Sequence, residues 1–487
     1  MKTLFSPNHW REPGGYREAL HIAIPLILSA GSWTVQMFVD RMFLCWYHPQ
    51  AMGAALAAGS LQFAAVSFFL GTASYANTFV AQYHGAQRHD RVGPSVWQSL
   101  YFSVIAFAIL ASLIPFAPVF FNLAGHGPTL QRMEVSYFRV LCMGSGFNIY
   151  AGAISGFYSG RGKTWPVLWV NAVSTVINVV LDYGLIFGKL GMPALGIAGA
   201  AIATDAAFLF NAIAFSLMFF SPGNRREYNT LRGWHFEGDL FKRLLRYGMP
   251  SGFHFMSDIL VFTLFIQLVG RIGAHELTAT TLAFNINMLA FLPMIGFGIA
   301  TSSMVGQRLG ADDADLAAKS TRSVFHMTFL YMVSVGVLFV LFPDTFMAPF
   351  AARANVAEFE QVRPIARLLL RFVAFYCIFD TLNIIFASAL KGAGDTKYVM
   401  WMTLGLGFSI MVAPTVWASG LKHGAIYVAW SFLTAYVCIL GLNFLFRFLQ
   451  GKWKSMRVIE PTVLSEPAIP GEPAIPGVPL TEMPKKK

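Results

Sequence analysis

Charge is what this sequence has least of. Only 12% of its 487 residues are Asp, Glu, Lys or Arg, about half the share expected of a soluble globular domain. The few charges stand in short clusters between long apolar runs, and hydrophobic residues make up 56% of the chain, the distribution of a polytopic membrane protein. A net charge of +11 would suggest nucleic acid in a soluble protein; with the bases confined to loops, no nucleic-acid partner is expected. Cysteine is scarce too. Cys45, Cys142, Cys377 and Cys438 lie in apolar stretches without CxxC or Cys/His spacing, which supports neither a disulfide framework nor a zinc site. A cleavable signal peptide is not expected: residues 1–17 are polar, with Arg11, Glu12 and Arg17, and the apolar run that follows is too long for a signal core. No HExxH, no GxSxG and no clustered His/Asp set occurs, so a membrane-embedded enzyme is disfavoured. Gly162-Lys163-Thr164 looks like the end of a phosphate loop, but Phe157 stands where that loop requires Gly, which argues against an ATP-driven pump.

What is there is a series of apolar runs. A hydrocarbon core needs roughly 20 apolar residues per helix, and the chain offers twelve such runs, near 18–46, 52–83, 96–120, 134–158, 165–188, 195–220, 246–270, 278–305, 321–351, 364–390, 398–418 and 423–447. The expected fold is therefore an all-α polytopic membrane protein. Its parts are a cytoplasmic N-terminus (1–17), an N-lobe of six helices (18–220), a cytoplasmic linker (221–245), a C-lobe of six helices (246–447) and a Pro-rich tail (448–487). Most of the 35 Lys and Arg fall on the side of the N-terminus, which places both termini in the cytoplasm. The tail repeats one hexamer, Glu466 to Gly471 and Glu472 to Gly477, and ends in three lysines; such Pro and Gly content predicts disorder and no transport role.

The two halves repeat. Pro25 and Pro250 occupy early positions in the first span of each half, and Gln82-x-x-Gly85-Ala86 recurs as Gln307-x-x-Gly310-Ala311 at the same interval. Gly160-Arg161-Gly162-Lys163-Thr164 has a counterpart in Gly392-Ala393-Gly394-Asp395-Thr396. Three pairs in order indicate a duplicated six-helix unit, and an even number of spans relates the copies by an axis along the membrane normal. The substrate path is then expected between them.

All but five of the 24 acids fall in loops, helix ends or tails. The exceptions are Asp40, Asp182, Asp205, Asp258 and Asp380, and no base lies at comparable depth; Arg41, Arg139 and Arg371 sit towards helix ends. A carboxylate inside a membrane helix is costly unless it faces a wet cavity, is protonated or holds a cation. Asn171, Thr175, Asn178 and Asp182 follow helical spacing in the fifth span, as do Ser29, Ser32, Gln36 and Asp40 in the first, so each lines one face with polar groups. Joined by Thr204 of the sixth span, the two stripes offer oxygens for Na⁺ or for protons. In the second half, His254 and Asp258 stand one turn apart, as do Tyr376 and Asp380. A cleft for organic cations is expected from Trp33, Gln36, Met37, His254, Phe255, Met256, Phe284, Asn285 and Met288.

These residues resemble the multidrug and toxic compound extrusion (MATE) family, in its NorM-like bacterial branch, over about residues 15–450. The likeness rests on Val39-Asp40, Ala81-Gln82-x-x-Gly85-Ala86, Asn178-x-x-x-Asp182 and the run Gly196 to Thr204. It implies a V-shaped twelve-helix antiporter of the inner membrane, exchanging external Na⁺ or H⁺ for organic, often cationic, compounds. Asp40, Asn178, Asp182 and Thr204 match the family's N-lobe cation cluster. Asp258 matches an acidic position of the seventh span where Glu is usual, and Tyr376 with Asp380 matches the C-lobe cation site. Transient Na⁺ at Asp40, Asp182, Asp258 and Asp380 is thus implied, with no structural metal and no other cofactor. Organic small molecules and membrane lipids are the expected partners, and one chain the expected unit. Arg41 after Asp40 and Asp205 after Thr204 depart from the family pattern, and Arg41 is placed to neutralise Asp40. A flippase for lipid or cell-envelope precursors is the alternative; it calls for basic residues in the cleft, where this chain has acids.

Overall fold

A computed structural model of the protein describes residues 10–123, 125–351, 356–421 and 424–460. Among the described residues twelve helical spans follow one another: α1 (Tyr16–Tyr47), α2 (Gln50–Gly85), α3 (His89–Leu123), α4 (Pro128–Gly160), α5 (Trp165–Phe187), α6 (Ile197–Phe219), α7 (Gly238–Ile272), α8 (Ala274–Gly310), α9 (Ala314–Leu341), α10 (Phe359–Ala393), α11 (Thr396–Ala418) and α12 (Ala425–Leu449). Eleven are straight enough to count singly, and α8 crosses as a pair bent by 49° between Met288 and Ala290. Pro293 lies inside α8. It offers no N–H to the carbonyl of residue 289 and its ring crowds that carbonyl, which sets the bend there.

Three departures from the expected boundaries alter the architecture. The α7 helix starts at Gly238, eight residues earlier, because its first turns bury only one face, through Leu240 and Leu244; a half-polar helix does not register as an apolar run. The linker is correspondingly short, and it is packed: the Trp97 indole donates to the Thr230 carbonyl at 2.7 Å and the Gly93 amide to that of Tyr228 at 2.9 Å. The span expected over 321–351 is divided, since α9 stops at Leu341 and a separate short helix, Pro343–Ala351, follows. Beyond α12 the chain reverses at Gly451 (φ +75°) and runs back as far as Glu460 as a docked strap. Trp453 is buried, stacked on Phe448 with ring centroids 4.7 Å apart, and its indole donates to the Phe448 carbonyl at 2.8 Å. The disorder expected over the whole tail, 448–487, therefore does not hold for 451–460, because Trp453, Val458 and Glu460 find buried partners; residues 461–487 lie outside the described residues.

The halves join through their repeated motifs. Helix α1 packs on α8, and α7, the equivalent of α1, packs on α2, the equivalent of α8. The Gln82 side-chain amide donates to the Gly392 carbonyl at 3.0 Å, and that of Gln307 to the Gly160 carbonyl at 2.7 Å. Each copy's glutamine therefore holds the first glycine of the other copy's Gly-x-Gly motif. The glycines three residues on permit this approach: a Cβ on Gly85 would lie 1.9 Å from the Gln307 carbonyl oxygen, and one on Gly310 2.0 Å from that of Gln82. Nearer mid-membrane, Gly71 meets Gly252 and Gly296 meets Ile27 in the same way. One large apolar core runs through both halves, whereas a second, around Phe43, Ala54, Tyr137, Phe138, Ile186 and Ala200, belongs to the far end of the N-terminal half alone. The lobes are thus fastened on the face that carries the termini, where Glu12 pairs with Lys319 and Glu18 with Arg308.

Candidate functional site

The N-lobe stripes meet as their spacing predicts. Asn171 of α5 donates to the Ser29 hydroxyl of α1 at 2.7 Å, Thr175 to the Ser32 carbonyl at 3.2 Å, and Asn211 of α6 to Asn171 at 3.3 Å. Asn178 reaches Thr204 of α6 at 3.5 Å. The seam runs towards the far face and ends at Asp40 and Asp182, whose charges act on each other.

What distinguishes this end of the seam is unmatched acceptors. Asp182 is fully buried and neither carboxylate oxygen has a hydrogen-bond partner; Asp40 Oδ1 and Asn178 Oδ1 are buried and unmatched too. Buried polar atoms are nearly always paired, and an unpaired carboxylate is among the costliest exceptions. A cation bound at these oxygens, or protons taken up by the carboxylates, would lower that cost. Among the described residues no three acids, histidines or cysteines converge as a metal site would require, so the donor set is two carboxylates with neutral oxygens. Arg41 is exposed, and its charge acts on Asp40, so the offset weighed from sequence is a through-space one.

Two further groups belong here that helical spacing did not select. Tyr137 of α4 is buried within electrostatic reach of Asp40, Asp182 and Asp205. Asp205 lies flat on α4 at Gly144, where a Cβ would sit 1.9 Å from its Oδ1, and that oxygen is buried without a partner. The acid next to Thr204 was visible in the sequence; the glycine that admits it was visible only as one of 43.

In the C-lobe, His254 Nδ1 stands 3.6 Å from Asp258 Oδ2, and the Asp258 side chain keeps 38% of its surface open. Asp380 is buried and accepts from Asn383 at 3.1 Å. The Tyr376 hydroxyl accepts from Asn287 at 3.1 Å, and the same amide accepts from the Cys377 thiol at 3.3 Å. Asn287, not the exposed Asn285 two residues earlier, is therefore the α8 residue that reaches this group. Tyr436 of α12 lies within electrostatic reach of both acids. A base is close as well: Lys391 and Asp258 act on each other's charge. Sequence placed Lys391 in a loop, but α10 continues to Ala393 and carries it inside.

The expected cleft residues separate into two groups. Trp33 packs on Phe63 at 6.0 Å, and Phe63 meets Phe255 edge-on at 6.1 Å, so these rings bridge the lobes at mid-membrane. Gln36 and His254 are buried beside them, Met37 and Met256 half-buried, and Met288 exposed. Phe284 departs from expectation: it packs into the C-lobe core against Phe262, Phe265 and Trp430. A separate groove of about 640 Å³ lies on the outside of the N-lobe between α3, α4 and α6, lined by Phe107, Met143, Phe147 and Leu209.

The MatE family model matches residues 25–184 and again 250–415, so its two matches open on Pro25 and Pro250. The chain is 25% identical to a probable multidrug resistance protein NorM of Thermotoga maritima over 91% of this chain and 94% of that protein. It is 26% identical to the multidrug resistance protein MdtK of Pectobacterium atrosepticum, over 84% and 86% respectively. In fold it is similar to a MOP superfamily transporter from Pyrococcus furiosus described as having a binding pocket of reverse polarity, with a TM-score of 0.83 at 17% identity over 92% of this chain and 98% of that one. A MATE family transporter in an outward-facing conformation gives 0.82 at 17% identity with the same coverage.

Proposed function

From the premise that this chain belongs to the MATE family, we propose that it exports organic compounds, cationic or amphipathic, from the cytoplasm across the bacterial inner membrane in exchange for Na⁺ or H⁺. The observation that carries the coupling is Asp182, a fully buried carboxylate with both oxygens unmatched at the end of a neutral polar seam. A site of this kind is unstable empty and charged, so it favours loading with a cation or a proton. Coupling follows if loading stabilises one lobe arrangement over the other, because a ligand bound equally by both shifts nothing. The relatives named for multidrug resistance support organic substrates, and the acids bordering the interlobe rings support positive charge on them. In this reading the face carrying the termini is cytoplasmic, as the excess of bases there indicates, and the interlobe fastening closes that side while the far side admits the ion.

The C-lobe has a distinct role in this scheme. Asp258 lies near Lys391, a tethered cation that partly offsets it, while among the described residues Asp380 has no such offset in its interactions, so the two acids contribute differently to substrate binding and ion response. Asp380→Asn is expected to remove the dependence of export on the cation gradient, with a residual gradient-independent flux. Dye efflux from proteoliposomes under separately imposed Na⁺ and H⁺ gradients measures it. An unaltered ion response in the variant removes the C-lobe from coupling, and response of the unmodified protein to neither gradient sinks the antiport reading.

A further inference from the structure

The repeat has a missing ion pair. In one interlobe contact Glu18, seven residues before Pro25, pairs with Arg308, the residue after Gln307, at 2.6 Å. The equivalent positions in the other contact are Arg243, seven residues before Pro250, and Tyr83, the residue after Gln82. A base has replaced the acid, so this contact has no carboxylate of its own. One arrives from the strap. Glu460 accepts from the Tyr83 hydroxyl at 2.7 Å and from Arg88 at 2.6 Å, lies 3.5 Å from Arg91, and pairs with Arg243. Its backbone carbonyl accepts from Arg88 at 3.2 Å, and two residues earlier the Val458 amide donates to Gln82 Oε1 at 2.8 Å.

We propose that Tyr83, Arg88, Arg91 and Arg243 form a carboxylate-binding site across the junction of the two halves, whose ligand is Glu460 of the chain's own tail and whose occupancy holds the termini-bearing face shut. Tyr83, Arg88 and Arg91 come from the first half and Arg243 from the second, so one carboxylate neutralises bases on both sides of the junction. Without it, three guanidinium groups face one another, and among the described residues the remaining acid paired with them is Glu237, 2.7 Å from Arg91. Arg457 with Asp312 at 3.0 Å and Lys454 with Asp315 at 2.7 Å anchor the strap to the second half. Through Gln82 the strap also reaches the repeated motif: Val458 engages one end of the amide whose other end holds Gly392.

The site is set against acid. Burial raises the Glu460 carboxyl, but the Tyr83 hydroxyl and Arg243 outweigh it and hold the group at about 2, below the usual carboxylate range. A depressed value stabilises the docked form above that range and is lost only as pH falls from about 4 towards 2. The clasp therefore stays charged at physiological pH, and it is released by movement of the strap and not by protonation.

The test uses the full chain in proteoliposomes, with the four native cysteines replaced by alanine and Thr78→Cys as a probe. Thr78 is 2% exposed and its hydroxyl lies 3.5 Å from that of Ser302 across the junction. Maleimide applied from the termini-bearing side should label it slowly in this parent. Labelling about tenfold faster is expected with Glu460→Gln, because charged hydrogen bonds lost from one state alone shift a two-state balance at least that far. Trp453→Ala, which undocks the strap without touching the arginines, should accelerate labelling as well. An unchanged rate in Glu460→Gln overturns the site, whether or not Trp453→Ala responds. The measurement needs neither substrate nor ion gradient, so it stands apart from the proposed exchange.

Discussion

Asp182→Asn is expected to abolish export while leaving the protein in the membrane at normal or higher thermal stability. The two effects have one cause. Asp182 is buried with both oxygens unmatched, so its ionised form costs stability wherever no cation or proton is present. Asparagine keeps the shape and removes the charge, and on the proposed mechanism it thereby removes the ability to bind and release the coupling ion. Activity and stability should then move in opposite directions, the trade-off of a strained functional group. Efflux measured alongside thermal unfolding separates this from simple misfolding, in which both would fall. Retained efflux would show that the N-lobe acid does not couple. Loss of efflux with a marked drop in unfolding temperature would show that Asp182 is structural.

Adding one methyl at the interlobe crossing should be nearly as damaging, by the opposite route. Gly85→Ala would place a carbon 1.9 Å from the Gln307 carbonyl oxygen, and Gly310→Ala one 2.0 Å from that of Gln82. The obstacle is helix backbone, which cannot turn aside as a long side chain can, so α2 and α8 must separate by more than 1 Å. Overpacking of this kind costs about 1–3 kcal/mol, and here it also pulls Gln82 from Gly392 and Gln307 from Gly160. Both variants should unfold at lower temperature and lose export together. Gly53→Ala is the control, because nothing lies within 4 Å of the Cβ it would add. If Gly85→Ala transports normally, the crossing is not the fastening described.

Much of the N-lobe site was legible because it is local. Asn171, Thr175, Asn178 and Asp182 share one helix face at a spacing any α-helix enforces, and the apolar background makes the polar stripe conspicuous. The C-lobe acids were equally conspicuous, yet their partners were not. Asn287 and Asn285 are two residues apart, and which one reaches Tyr376 depends on how α8 is rotated and bent. Lys391 was assigned to a loop because sequence gives no sharp end to α10. Phe284 satisfied every compositional requirement for a cleft and instead packs on Trp430.

The membrane class, the twelve spans, the duplication and the five acids at depth can all be read along one chain, because each follows from hydropathy or spacing. The repeated Gln-x-x-Gly and Gly-x-Gly motifs are visible there too, but that they bind each other emerges from the packing, since motifs far apart in the chain meet only where helices cross. The same holds for the tail. Its last residues are of low-complexity composition, which hid the fact that the segment before them, ending at Glu460, carries the one carboxylate that a duplicated contact lacks. Scarcity of charge was the first property visible in this chain, and where each rare charge finds its partner was settled by packing.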